Sequence, residues 1–145
     1  MSIVHFFDHA DKKNNREHFA HLVQLARADG NIEKNESELL YRIGKRMGFT
    51  DPEIDYLMDS KEKHMYNYPY ELEKKFIQLF ELFSLIMADG LIEDRELKLV
   101  KRFATGAGFT DLEIEKLIPF LKEGIEKSLD EEYLFSEYKK WKRKN

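Results

Sequence analysis

Apolar residues recur along this chain at three- and four-residue intervals, the spacing that lines one face of an α-helix. The clearest stretch is Tyr70–Asp89, where Leu72, Phe76, Leu79, Phe80, Phe83, Ile86 and Met87 cover most of a helical circumference. That segment is predicted to be a central buried helix. Ile32, Leu39, Leu40, Ile43 and Met47 fall within one arc of a second, amphipathic helix. A last helix is predicted from about Asp130 to Lys144, presenting Tyr133, Leu134, Tyr138 and Trp141.

The pattern occurs twice. A shift of 60 positions aligns Leu22–Leu57 with Leu82–Leu117 without a gap, and Leu22, Leu25, Ala28, Asp29, Gly30, Ile32, Glu33, Glu36, Arg42, Gly48, Phe49 and Thr50 are among the residues that recur. Two copies are too few for a solenoid. The expected architecture is all-α, about seven helices, with pseudo-twofold duplicated helix-turn-helix units in one domain spanning residues 1–145. The first copy covers about 15–60 and the second about 70–120, and a C-terminal helix at about 130–144 follows.

Punctuation within each copy agrees. Gly30 and Gly90 can supply the left-handed residue that ends a helix. A second helix is predicted to begin near Glu33 or Glu93 and to stop at Gly48 or Gly108. Thr50 with Glu53, and Thr110 with Glu113, form capping boxes, and Phe49 can staple onto Ile54. Pro69 is read as an early helix residue, and Pro119 as a break or kink in the sixth helix. Ile3–Phe7 is read as a short docking segment.

Composition narrows the partners. The 145 residues are 42% apolar and 36% charged, a globular balance with net charge −4. An acidic chain offers no global attraction to nucleic acid or anionic membrane. Without cysteine there is no disulfide, thiolate or Cys-ligated zinc. The longest uninterrupted apolar run, Leu85–Ala88, is far short of a membrane span. A soluble, cytoplasmic protein without stable membrane insertion is expected.

The unusual feature is the position of the acids. On a helical wheel Glu36 falls inside the arc of Leu39, Ile43 and Met47, and Glu96 falls among Leu99, Val100 and Phe103. Asp29 and Asp89 continue the apolar faces of the helices before them. A carboxylate at the edge of a core must be hydrogen-bonded, ion-paired or bound to a cation. In one reading Glu36 and Glu96 reach back to cap their own helices, and Asp29 and Asp89 satisfy amides across the turn.

In the other reading Asp29, Glu33, Glu36, Asp89, Glu93 and Glu96 pool oxygen ligands for Ca²⁺, Mg²⁺ or Mn²⁺. Asp29-Gly30-x-Ile32-x-x-x-Glu36 has the spacing of the second half of an EF-hand loop. The early ligand positions hold Leu25 and Arg27, or Leu85 and Met87, so neither copy is a complete EF-hand. Carboxylate-pair catalysis is the weakest reading, because no nucleophile, oxyanion hole or phosphate loop accompanies the acids. No enzymatic activity is expected.

At Ala28-Asp29-Gly30-x-Ile32-Glu33-x-x-Glu36 and Ala88-Asp89-Gly90-x-Ile92-Glu93-x-x-Glu96, each followed by Gly-Phe-Thr-Asp, the chain resembles the TerB-like family. That family is named for tellurite resistance and is related to the N-terminal region of a membrane-anchored DnaJ-type co-chaperone. The resemblance covers roughly residues 15–120. It implies an all-α domain of about seven helices, metal binding by these acids, and a setting in stress response or membrane-associated complexes. One departure is that Glu33 and Glu93 stand where such domains often open the second helix with Ser, Thr or Asp, and Glu is a poor N-cap.

Weaker signals have ordinary explanations. His5, His9, His18 and His21 have helical spacing, which zinc sites sometimes use, but solvated helix faces explain them more simply. The basic run Lys139–Lys144 around Trp141 suits a helix C-terminus. Tyr66, Tyr68 and Tyr70 either pack locally or form a patch for a partner protein. The expected partner is another protein, of unknown identity.

Overall fold

The computed structural model describes residues 12–27, 34–59, 67–89 and 92–145. Among them the chain is all-helical, without strands: α1 (Lys12–Ala26), α2 (Lys34–Arg46), α3 (Asp51–Asp59), α4 (Leu72–Ile86), α5 (Asp94–Gly106), α6 (Asp111–Glu126) and α7 (Glu131–Lys144). A 3-10 turn over Met87–Asp89 extends α4. The starts of α4, α5 and α6 follow those of α1, α2 and α3 by 60 positions. Gly30, Gly90 and the Ile3–Phe7 segment lie outside the described residues.

The same local devices set both series of boundaries. Gly48 and Gly108 adopt φ of 94° and 100°, the left-handed region that a Cβ disfavours. Their amides donate to Lys45 and Thr105, and the next amides, of Phe49 and Phe109, donate to Gly44 and Ala104. These bonds satisfy carbonyls that the ends of α2 and α5 leave open. Two residues later the capping boxes form as the sequence predicts. The Thr50 and Thr110 amides donate to Glu53 and Glu113 at 3.0 Å, and the reciprocal amide-to-hydroxyl bonds measure 3.4 and 3.2 Å.

The chain divides into two compact units. The described residues of the first are 12–27, 34–59, 67 and 93–99; those of the second are 68–89, 92 and 100–145. In the first unit Phe19 and Leu22 of α1, Leu40 and Ile43 of α2, and Ile54 of α3 are fully buried. The Phe19 ring tilts against Phe49 at 5.7 Å. Arg27 donates from the end of α1 to the Met58 carbonyl in the last turn of α3, where a cation also complements the helix dipole.

The second unit is built on α4, whose Phe76, Leu79, Phe80, Leu82, Phe83, Leu85 and Ile86 are all buried, as its apolar circumference predicts. Phe76 stacks on Tyr138 of α7 at 5.4 Å. Helices α6 and α7 approach closely at Gly124, where a Cβ would lie 2.7 Å from a Leu134 methyl carbon.

Two boundaries differ from expectation. Pro119 does not end α6, which continues through Glu126. It lies on the exposed side, where water can replace the bond that proline cannot donate. Pro69 precedes α4 instead of opening it, because Glu71 is the N-cap, with extended φ and ψ of −74° and 135°. The half-buried Tyr68 ring meets Phe103 edge-on at 5.2 Å. That anchor holds the chain before the helix begins. Tyr70, by contrast, is 97% exposed. Tyr66 lies outside the described residues.

His18 also departs from the solvated-face reading. It is buried in α1 beside Phe19 and Leu22. Burial first, and His21 second, lower its pKa to about 3, so the ring is neutral at physiological pH.

Candidate functional site: the acids of the repeated turns

Helix α5 begins at Asp94, and Glu93 caps it through its backbone. The Glu93 carbonyl accepts from the amides of Glu96 and Leu97, both at 3.0 Å. Glu96, the third residue of the helix, reaches back so that its Oε1 accepts from the Glu93 amide at 2.8 Å. This is the returning half of a capping box. It satisfies the helix start although Glu93 lacks the short side chain that a conventional N-cap uses.

The second Glu96 oxygen is also engaged. Its Oε2 accepts from Nη2 of Arg42, on α2, at 2.9 Å. The Glu96 side chain is 2% exposed and that of Arg42 32%. Both residues belong to the first compact unit. The sequence placed Glu96 on an apolar face, and it is indeed buried, with an amide and a guanidinium to compensate the charge. The Glu93 carboxylate, more than half exposed, pairs with Nε of Arg95 at 2.8 Å.

Glu36 is the third residue of α2 and the counterpart of Glu96. It is half-buried, and its Oε2 is buried without a hydrogen bond. Asp29, Glu33 and the Asp89 side chain lie outside the described residues. Among the described residues no three His, Asp or Glu side chains stand close enough together to hold a metal ion. A cation approaching Glu96 must displace an amide or an arginine. The arrangement around Glu96 is chemically a strut: it closes a helix start and ties α5 to α2.

One further ionisable position, Glu81, was not singled out in the sequence, and Glu113 was singled out only as a helix cap. Glu81 is buried in α4, with no hydrogen bond to its Oε2. Burial, and then the charge of Glu131, raise its pKa to about 8. Its place between Phe80 and Leu82, in a helix apolar nearly all round, is the signal that could have revealed it. At Glu113, burial opposes ionisation, but hydrogen bonds from Tyr138, Thr110 and Lys142 outweigh it and lower the pKa to about 2. The capping glutamate of α6 therefore also fastens α7.

No family model, no curated protein and no solved structure matches the chain.

Proposed function

We propose that this chain is a non-enzymatic, TerB-like protein-interaction module in which the acids of the Asp-Gly turns act as helix caps and ion-pair struts. One observation carries this reading: both oxygens of Glu96, the most buried of the described candidate acids, are committed, to the Glu93 amide and to Arg42. The 60-position offset between corresponding helix starts supports the TerB-like part. Exposed Tyr56, Tyr70, Leu112 and Tyr133 support a role in binding another protein. A stress-response setting, drawn from the family resemblance, and a cytoplasmic location, in keeping with a cysteine-free sequence, belong to the same proposal. Among the described residues no helix is long and apolar enough to cross a membrane.

A second reading assigns a divalent cation, Ca²⁺, Mg²⁺ or Mn²⁺, to the remaining acids. It is favoured by the buried Glu36 oxygen that takes no hydrogen bond. Thermal melting in EDTA and in millimolar Ca²⁺, Mg²⁺ or Mn²⁺ separates the two. The interaction-module reading expects one midpoint under all conditions. A rise in midpoint, corresponding to about 2.7 kcal/mol at a hundredfold excess over Kd, and abolished by Asp29→Asn with Asp89→Asn, would establish the cation site instead.

A further inference from the structure

Besides the apolar stripe that it buries, α7 presents Tyr133 and Trp141 to a groove along α6, to which α6 adds Phe120. On α7, Leu134, Phe135 and Tyr138 enter the core, while Tyr133, Glu137 and Trp141 line that groove. On α6, Lys116, Phe120, Glu123 and Lys127 line the opposite wall. The groove has a volume of about 350 Å³. Its apolar surface is accessible: Tyr133 is 53% and Leu129 36% exposed. The α7 wall from Tyr133 to Trp141 spans roughly 12 Å, a little over two turns of helix, with Leu129 beyond its start.

The charges along the groove are not evenly balanced. Lys127 is paired with Glu123 at 2.6 Å, and Glu137 with Lys140 at 3.6 Å. Lys116 has no carboxylate partner among the described residues. Its ammonium lies over two rings, 5.6 Å from the Phe120 centroid and 5.9 Å from that of Trp141. The last turn of α7 adds Lys142, Arg143 and Lys144 beyond Trp141, of which Lys142 is paired with Glu113. One end of the groove is thus positive in a chain whose net charge is −4. A ligand suited to it offers apolar surface along its length and negative charge at one end.

We propose that the α6–α7 groove binds an amphipathic helix of a partner protein, with an apolar stripe against Phe120, Tyr133 and Trp141 and a carboxylate end at Lys116. A single uncompensated cation within the groove is too little to track a nucleic-acid backbone. The exposed apolar stripe has the form that helix-in-groove recognition uses. This inference rests on the interaction-module reading and names the surface and the chemistry of its partner.

The test is selection of a displayed library of helical peptides on the full chain and on its Lys116→Glu variant, with bound peptides mapped by amide NMR shifts. The wild type is expected to enrich peptides with apolar residues at i, i+3 or i+4 and i+7 and an acid at one end, shifting residues of α6 and α7. Lys116→Glu is expected to enrich a basic residue in the acid's place. Tyr133→Ala, at an exposed position, is expected to weaken the selected peptides about tenfold. Peptides that bind elsewhere on the chain, or whose charge is indifferent to Lys116→Glu, would overturn the groove and leave the module reading intact. Enrichment of no peptide by either protein would count against both. Binding to phosphatidylserine vesicles that depends on Lys116, without peptide selection, would replace the protein partner with a membrane.

Discussion

Arg42 of α2 donates to the Glu96 carboxylate of α5 at 2.9 Å, joining residues that come from different copies of the repeated sequence pattern but lie in one compact unit. The contact explains why an acid stands on an apolar helix face. With Glu96 only 2% exposed, its charge needs compensation, and a guanidinium supplies it at a position for which the sequence left both a capping role and a divalent cation open. Removing one partner of a buried pair is costly chiefly because the other is left charged and unmatched.

Glu81 is expected to make stability fall with rising pH. Its carboxyl is raised to about 8, whereas the unfolded chain ionises in the ordinary range near 4.5. The folded state therefore holds an extra proton between those values. Its stabilising contribution is complete below pH 4.5 and is lost as pH rises towards 8, with a slope of up to about 1.4 kcal/mol per pH unit. Glu81→Gln keeps the site neutral throughout. Melting curves should place this variant close to the wild type near pH 4.5 and above it at pH 8. A constant difference across that range would count against the assignment.

The bond from Tyr138 to Glu113 is expected to anchor α7 in a pH-dependent way. The Glu113 pKa is lowered to about 2, so its ionised form stabilises the fold above pH 4.5, and that contribution is lost as pH falls through 2. Tyr138→Phe removes a hydrogen bond to a charged group, at a cost of about 1–2 kcal/mol at pH 7. Denaturant titrations should show the gap between variant and wild type narrowing as pH approaches 2. An equal gap at both ends would show that the contribution of the hydroxyl does not depend on the Glu113 charge.

The fold was legible wherever local chemistry decided it. The positive-φ glycines at 48 and 108, the Thr50 and Thr110 caps and the apolar circumference of α4 are short-range devices, and each appears where the spacing puts it. Pro69 stands outside α4 because a distant contact outweighed the local rule, Tyr68 being held by Phe103, and Pro119 does not break α6 because it faces water. The burial of Glu96 was readable from its helical face, and its return to the Glu93 amide from its place in the first turn. Its partner was not. Arg42 recurs in both copies, but nothing local says that it meets an acid 54 positions away. For the same reason the Glu113–Tyr138 bond, 25 positions apart, could be seen from sequence only as an ordinary helix cap.

The most direct measurement is a double-mutant cycle on Arg42→Met and Glu96→Gln, with unfolding free energies determined in EDTA. If Glu96 is a strut, Arg42→Met alone costs about 2–3 kcal/mol, because a buried carboxylate loses its cation. The double variant should recover part of that loss, leaving a coupling energy of about 1–3 kcal/mol. A coupling indistinguishable from zero would show that Arg42 does not sustain the Glu96 charge, and would contradict the structural role assigned to this acid.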